Sequence, residues 1–313
     1  MLRYISNRLI GLIIVLIGVT VLTFIFSNIS TVDPAEAFAR RNILNPTPMQ
    51  IEELREEMGL NLPVYRQYFH WMGESMKGNL GISLLTKNPV SADIAKKMPA
   101  TLSIVGMAFF WIVVITLPIS ILSAVKQNGV FDHVARVITI FGISMPNFWL
   151  GFIMLIAFAV VVPIFNVVDY GNFKSIILPS LTLAIPVISS SIRLFRATIL
   201  LNMNKDFVTY AKARGISKTN IIWKHILKNS LPPMITLMCQ NLGYMIAGSA
   251  IVESVFSWPG IGSHLVEAIV GRDLPTINGC VLVIAVIFVL SNLFADVVNI
   301  MLNPKILNEQ GEF

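Results

Sequence analysis

The chain has 313 residues, of which 55% are hydrophobic and 13% are charged, and its formal net charge is +6. Ordinary soluble domains carry about 25% charged residues, so the composition excludes such a domain and predicts an all-α membrane protein whose spans each need about 20 residues. Positive charges outside one segment are scattered, which excludes a nucleic-acid-binding face. Cys239 and Cys280 lie in apolar runs, without the spacing of a disulfide framework or a paired-cysteine metal site.

The first apolar run extends from Leu9 to Asn28 and follows two arginines, Arg3 and Arg8. A cleaved signal peptide is the alternative interpretation, because alanines follow the run between residues 35 and 39. The apolar core is longer than the roughly 7–15 residues of a signal sequence. We therefore predict a retained first membrane span.

Residues 31–98, called the insertion below, differ from the rest of the chain because they contain eight Lys/Arg and eight Asp/Glu. Thr47 followed by Pro48 predicts a helix start, and Gly59 predicts the end of that helix. A second amphipathic helix is predicted from Pro63 to Lys77. A long segment of balanced charge is weakly constrained by the positive-inside rule, so we predict that the insertion lies outside the cytosol.

Further apolar runs predict five more spans, at Ala100–Val125, Val137–Phe165, Ser175–Phe195, Leu231–Ser254 and Asn278–Leu302. The link after the second span contains Lys126, His133 and Arg136, and basic links favour the cytoplasmic side. Six spans then place both termini in the cytoplasm. A proline kink in a lipid-embedded helix needs neighbouring groups to satisfy the freed backbone carbonyls. Several such kinks in one bundle favour a moving transporter over a rigid anchor. The prolines in or beside spans are Pro118, Pro146, Pro163, Pro179 and Pro186.

The most basic segment lies between the fourth and fifth spans. Residues 205–232, called the basic knob below, carry six Lys/Arg and one acidic residue, Asp206. Gly215 divides the segment into two short predicted helices. Because a basic island of this kind belongs on the cytoplasmic side, we predict a compact helix–glycine–helix unit that docks against a soluble partner. His225 is interpreted as a contact to that partner.

The sequence VFSWPGIGSHLVEAIVGRDLP follows the fifth span and is too short and too polar to cross a bilayer. We interpret it as an interfacial or re-entrant helix on the outer side. Glu253, Trp258 and His264 are candidates for the outer mouth of a pathway. The alternative is that Trp258 is an interfacial anchor and Glu253 caps a helix end. A further hypothesis is that Glu253, His264 and Glu267 handle a metal ion, because carboxylate and imidazole suit nickel.

The chain lacks a GxxxxGK[ST] phosphate-binding loop, so we do not expect it to bind ATP by that motif. Acidic residues within the spans are few, mainly Asp296 and Glu253, whereas a proton-coupled carrier needs such groups near the midplane. The energy for transport is therefore predicted to come from a partner. An ATP-independent carrier or channel is the main rival, and a sensor is a weaker one. Asn147 and Phe148 are further pathway candidates, although Phe148 could equally face lipid.

The basic knob resembles the docking loop of ABC-importer permeases, whose general form is Glu-Ala-Ala, then Gly, then Leu-Pro. Ala211, Gly215, Leu231 and Pro232 fit that form, whereas Thr209 and Tyr210 replace the leading Glu and Ala. The whole chain resembles the first permease subunit of the dipeptide, oligopeptide and nickel branch. The motifs that carry the resemblance are MLRYI at the start, DPA at 33–35, GLNLPVYRQY at 59–68, GNLGIS at 78–83, PAT at 99–101, FDH at 131–133, SMPNFWLG at 144–151, FSWPGIG at 256–262, RDLP at 272–275 and NPKI at 303–306.

This resemblance implies the type I permease fold, with six transmembrane helices in the bacterial inner membrane. It divides the chain into a first span (1–30), the extracytosolic insertion (31–98), a five-span core (99–308) with a coupling loop at 202–230, and a tail (309–313). It implies a second homologous permease, two ATPases that hold ATP and Mg, an external solute-binding protein and surrounding lipid. The chain itself is then neither an enzyme nor a cofactor-binding protein. The ATPase-coupling residues implied are Tyr210, Ala211, Ala213, Arg214, Gly215, His225, Leu231 and Pro232.

Within this branch the cargo is the finer question. Asn147 after Met145 and Pro146, the short link at 167–174 and the run HILKNSLPPMIT resemble nickel permeases more than dipeptide permeases. We therefore predict nickel, free or chelated, as the cargo. Dipeptides or oligopeptides are the alternative, and this distinction depends on the resemblance alone.

Overall fold

The computed structural model describes residues 2–29, 33–168 and 170–302. These residues form thirteen α-helices, and two π-helical segments continue or join them. The helices are α1 Leu2–Ile29, α2 Pro34–Asn42, α3 Pro48–Glu57, α4 Val64–Met76, α5 Val90–Val125, α6 Val130–Ser144, α7 Asn147–Leu155, α8 Ile177–Met203, α9 Asp206–Ala213, α10 Lys218–Asn220, α11 Leu227–Val255, α12 Ile261–Gly271 and α13 Leu274–Leu302. The π-helical segments are Ile156–Val161, after α7, and Ile221–Ile226, between α10 and α11.

Four helical segments are long and apolar enough to cross a membrane: α5, α8, the continuous run Lys218–Val255 and α13. The bent pair α6 and α7 adds a fifth if it counts as one span. In α1 the apolar stretch found among the described residues, Ile10–Phe26, is shorter than these. The all-α membrane fold is therefore confirmed with four or five spans, and the count of six stays a prediction.

The third predicted span, Val137–Phe165, is sharply broken at Pro146, one of the prolines predicted to kink a span. The structure has two helices, α6 and α7, which meet at an angle of 108°. The break falls at Met145, whose backbone is extended (φ −84°, ψ 127°), directly before Pro146. A proline clashes with a helical conformation of the preceding residue, so the helix ends there.

Several span boundaries also differ from the prediction. The fifth spanning segment begins at Lys218 rather than Leu231, and α13 begins at Leu274 rather than Asn278. The second span begins at Val90 rather than Ala100, and the fourth extends to Met203 rather than Phe195. Polar and basic residues lie in the extra segments of the second and fourth spans. Hydropathy alone therefore places the start of the second span too late and the end of the fourth span too early. α5 and α8 share the most extensive helix pairing in the bundle, and its core includes Ile104 and Phe195, which are fully buried.

The insertion begins with helices whose ends are set by local chemistry. The helix start at Thr47 is confirmed, because its side chain and that of Gln50 form a reciprocal capping box. The end at Gly59 is also confirmed, since Gly59 has a φ of +66°. Arg55 of α3 forms an ion pair with Asp33, which caps α2, and thereby holds the two short helices together.

The insertion is joined to the bundle at two places. The Tyr68 hydroxyl of α4 lies 3.0 Å from Thr20 Oγ1 of α1. Asp273, which is fully buried before α13, accepts hydrogen bonds from Ser83 Oγ at 2.5 Å and from Thr276 Oγ1 at 2.8 Å. These contacts fix the insertion at the end of the bundle where α1 ends and α13 begins. The basic knob lies at the opposite end.

Candidate functional site

The basic knob has the predicted helix–glycine–helix form. Its first helix, α9, ends beside Gly215, whose φ of +72° turns the chain into the next helix. A residue with a β-carbon is strained in this left-handed region, which explains the glycine. The Ser217 side-chain oxygen then accepts a hydrogen bond from the backbone N–H of Asn220 and caps the start of the second helix.

The underside of the knob is anchored to the bundle by apolar side chains. Val208 and Ala211 of α9 and Ile221 and Ile226 of the π-helical segment are each at most 5% exposed. They belong to the same hydrophobic core as α5, α8 and α11. The knob is therefore a packed extension of the bundle, and a force on its surface is transmitted to the helices beneath it.

Several predicted coupling residues form the outer surface of the knob. Tyr210 is 72% exposed, although it is a large aromatic residue. Ala213, Arg214 and Gly215 are exposed beside it. An exposed aromatic surrounded by cations is a surface suited to a protein partner.

The other predicted coupling residues lie deeper. Ala211 is buried beneath Tyr210, and its small side chain permits the close packing of α9. His225 is half-buried in the π-helical segment, and Leu231 and Pro232 are half-buried inside α11. These residues lie deeper than Tyr210 and its exposed neighbours.

An apolar cleft opens between the two halves of the knob. Its volume is about 310 Å³, and two lysines, Lys212 and Lys218, lie among its lining residues. The apolar lining includes Met203, Val208, Ile216, Ile221, Ile222 and Ile226. A cleft of this composition can receive an apolar side chain of a partner while the lysines meet acidic groups around it.

Sequence reasoning missed a polar link between the two stems of the knob. Asn202, near the end of α8, donates a hydrogen bond of 2.9 Å to Ser230 Oγ of α11. Both side chains are buried, with exposures of 4% and 0%. Because a buried hydrogen bond fixes the register of the helices that share it, α8 and α11 are coupled where they enter the knob.

A buried ion pair at the same end was also missed. Asp132, at the start of α6, is fully buried and accepts from Arg196 Nε at 2.6 Å and Nη2 at 2.7 Å. The Ser123 hydroxyl and the backbone N–H of Asn128 donate two further hydrogen bonds to the same carboxylate. The link between α5 and α6 is thereby tied to α8. Hydropathy analysis does not detect such a pair, because the residues around it are mostly apolar.

The opposite end of the bundle is braced by Glu253, which is fully buried near the end of α11. Its carboxylate accepts hydrogen bonds from Thr101 Oγ1 at 2.7 Å, Ser249 Oγ at 2.9 Å and the Ser263 amide at 2.9 Å. Thr101 also accepts from the Ile261 amide at 2.8 Å. One carboxylate therefore joins α5, α11 and the start of α12.

Trp258 belongs to the same brace. Its indole is 3% exposed and donates a hydrogen bond of 2.9 Å to the Ala100 carbonyl. Its ring also makes an edge contact with Tyr170 at a centroid distance of 4.8 Å. The structure therefore buries both Glu253 and Trp258, and neither side chain can touch a cargo molecule unless the brace opens.

His264 lies in α12 and is 3% exposed. Its Nδ1 lies 3.8 Å from Glu267 Oε2, its Nε2 has no hydrogen-bond partner, and burial lowers the pKa of the imidazole. The metal-handling hypothesis for Glu253, His264 and Glu267 is not supported. In the part of the chain that the structure describes, no three or more His, Cys, Asp or Glu side chains are placed to hold a metal ion.

Asn147 and Phe148 open α7, directly after the break at Pro146. Asn147 is half-buried, and Phe148 is 49% exposed. Two close approaches position this bent pair. A β-carbon on Gly142 would lie 2.1 Å from Ser189 Oγ of α8, and one on Gly151 would lie 3.1 Å from Val255 Cγ1 of α11.

A bundle of spanning helices with a packed, basic knob at one end and a buried brace at the other has the architecture of a membrane-embedded transport subunit. Comparison with known proteins gives the family. A model described as "Binding-protein-dependent transport system inner membrane component" matches residues 116–308, and the N-terminal model of such membrane components matches residues 1–105. The chain belongs to this family of inner-membrane transport components.

Similar curated proteins cover the chain almost from end to end. The glutathione transport system permease protein GsiC of Escherichia coli O6:H1 is 35% identical over 306 residues, which is 98% of this chain and 99% of that protein. Its counterpart in Shigella dysenteriae serotype 1 is 34% identical over the same shares.

The comparisons confirm the broad predictions. The chain is a multi-pass inner-membrane permease of a binding-protein-dependent ABC importer, and it is a membrane component rather than an enzyme. Membership in this family implies ATPase and solute-binding partners. The predicted closeness to nickel permeases is not supported, because these relatives are named as glutathione permeases.

Proposed function

We propose that the chain forms half of the translocation pathway of an ATP-driven importer for short peptides or peptide-like molecules such as glutathione. The observation that carries this proposal is the match to glutathione permeases over 98% of the chain, with 99% of the relative covered. This cargo class agrees with the dipeptide or oligopeptide alternative from the sequence and replaces nickel as the favoured cargo.

The importer is proposed to contain a second homologous permease, two ATPases that hold ATP and Mg, and an external solute-binding protein. In this arrangement the basic knob and both termini lie in the cytoplasm, and the insertion, residues 31–98, lies outside. The core, residues 99–308, forms the pathway with the second permease. The positive charge of the knob supports this orientation.

The proposed coupling begins at the surface of the knob. An ATPase grips Tyr210 and Arg214 and inserts an apolar side chain into the adjacent cleft. When ATP closes the ATPase pair, the knob moves as a packed unit, since Val208 and Ile226 are buried in the bundle core. The Asn202–Ser230 hydrogen bond makes α8 and α11 move together.

At the opposite end, α11 carries this motion to the outer mouth. Glu253 joins α11 to α5 and α12, so tilting α11 either moves all three helices or breaks the brace. The start of α7, with half-buried Asn147 and exposed Phe148, is the part of this region proposed to face the pathway. Hydrolysis of ATP then reverses the tilt and releases the cargo inside.

The cargo can be tested with the transporter purified as a complete complex and reconstituted into liposomes with its binding protein. Labelled glutathione, a labelled dipeptide and radioactive nickel are supplied in parallel, with and without ATP inside the liposomes. We expect ATP-dependent uptake of glutathione or the dipeptide and stimulation of ATP hydrolysis by the same compound. A complex with a hydrolysis-deficient ATPase is the control.

Two outcomes would contradict the proposal in different ways. ATP-dependent uptake of nickel alone would show that the cargo assignment is wrong while the transporter class stands. Cargo uptake that is equal with and without ATP would show that the chain acts as a carrier or channel.

A further inference from the structure

Helix α4 of the insertion has two apolar faces, and only one of them is packed. Tyr68 and Trp71 face α1. On another side of the helix, Tyr65, Phe69 and Met76 are 59%, 69% and 84% exposed. Positions 65, 69 and 76 lie within a narrow arc, because a helix turns about 100° per residue. A contiguous exposed stripe of large apolar side chains is uncommon on a water-facing helix and marks an interaction surface.

The position of α4 along α1 places this stripe at a membrane boundary. Tyr68 touches Thr20 and packs against the Phe24 ring at a centroid distance of 5.6 Å, and Trp71 lies 6.1 Å from the same ring. Thr20 and Phe24 both belong to the apolar stretch of α1 that ends at Phe26. Phe24 is two residues, or about 3 Å, from that end. α4 therefore lies where α1 leaves the apolar layer, a level at which aromatic side chains are enriched.

The side of α1 that faces away from α4 is apolar and exposed among the described residues. Leu22, Ile25 and Phe26 are 54%, 43% and 69% exposed, as expected for side chains that face lipid. α1 thus presents apolar side chains to lipid at the level where α4 packs against its other side. Arg66 is exposed at the edge of the stripe, with its guanidinium 6.0 Å from the centre of the Tyr65 ring.

We infer that the stripe formed by Tyr65, Phe69 and Met76 is a lipid-binding surface. α4 lies along the interface of the leaflet on its side of the membrane, with the stripe among the upper acyl chains and Arg66 beside lipid phosphates. A helix whose free apolar face adjoins a basic side chain binds a bilayer in this way. The contact holds the insertion at a fixed height beside the start of α13. It does not depend on which cargo the transporter carries.

The test uses the complete transporter in nanodiscs of phosphatidylcholine and phosphatidylglycerol. Phe69→Cys is labelled with a fluorophore, and Glu53→Cys, an exposed site on the polar side of α3, is the matched control; Cys239 and Cys280 are buried. Lipids with a nitroxide near the top of the acyl chain should quench the label at residue 69 about threefold more than the label at residue 53, because interfacial helices lie about 5–10 Å into the boundary region.

A second label, at Met76→Cys, gives an independent reading if the first variant is poorly produced. Equal quenching at the stripe and at residue 53 would overturn the inference. Stripe labels that stay accessible to a water-soluble quencher until the solute-binding protein is added would also overturn it, since the surface would then bind protein. Quenching at both stripe positions, unchanged by the binding protein, supports lipid contact.

Discussion

The junction between α11 and α12 depends on a close approach at Gly262. A β-carbon at this position would lie 2.3 Å from Ala250 Cα and 2.7 Å from Ala250 Cβ. Carbon atoms in contact are about 3.5 Å apart, so Gly262→Ala must separate the two helices by about 1.2 Å. The neighbouring Ser263 amide would then be pulled away from Glu253, to which it donates at 2.9 Å.

The cost can be estimated from overpacked cores, which lose about 1–3 kcal/mol. At about 2–4 °C per kcal/mol, Gly262→Ala should lower the melting temperature of the purified complex by roughly 2–12 °C. Tryptophan fluorescence during heating in detergent measures this change.

Gly248→Ala provides the matched control for that measurement. A β-carbon on Gly248, within α11, meets no atom within 4 Å. Alanine in a helix interior is favoured over glycine by about 0.8–1.0 kcal/mol, so this variant should melt at the same temperature or higher. If the two variants lose the same stability, the packing argument at Gly262 is refuted.

Two further predictions concern the end of the bundle that carries the basic knob. Asp132→Asn should destabilise the complex by about 3–5 kcal/mol, because it leaves Arg196, whose side chain is only 16% exposed, without its anion. Thermal melting of this variant and of the double variant with Arg196→Met should show that the second change recovers part of the loss. An additive loss in the double variant would contradict this. Asn202→Leu should leave the amount of assembled complex largely unchanged but lower the amount of cargo transported per ATP hydrolysed. The reason is that α8 and α11 lose their hydrogen bond through Ser230. An unaltered ratio of cargo to ATP would exclude a coupling role for Asn202.

Local features of the sequence predict much of the fold. Long apolar runs identify α5, α8, α11 and α13. Along the whole length of each helix, apolar side chains either pack inside the bundle or face lipid. The Thr47 cap and the Gly215 turn were also predictable, since both depend on residues close in sequence. These signals do not need knowledge of the tertiary structure.

A kink at Pro146 was predicted, but the sharpness of the break could not be predicted in the same way. Pro99 and Pro118 remain inside α5, whereas Pro146 separates α6 from α7. A proline in an apolar run allows both results. The packing of Gly142 and Gly151 against neighbouring helices accompanies the sharp bend in this case.

Long-range polar contacts were the other feature beyond sequence reasoning. Glu253 could be placed near a helix end, but its partner Thr101 is 152 residues away. The Asn202–Ser230 and Asp132–Arg196 contacts join helices whose pairing is set by the folded bundle. The nickel prediction depended on resemblance alone, whereas the similar curated proteins are named as glutathione permeases.

The basic knob is proposed to transmit ATP-driven motion to the bundle, and a substitution at Gly215 tests this role most directly. Gly215 has a φ of +72° and open space around it, so substitutions there act through the backbone. Gly215→Val is strained in this left-handed region by about 1–2 kcal/mol or more, whereas Gly215→Asn is tolerated. The measurement is cargo uptake per ATP hydrolysed in liposomes that contain equal amounts of each assembled complex. We predict that the valine variant inserts normally and hydrolyses ATP with little uptake, while the asparagine variant transports nearly as well as the original protein. Normal coupling in the valine variant would contradict the claim.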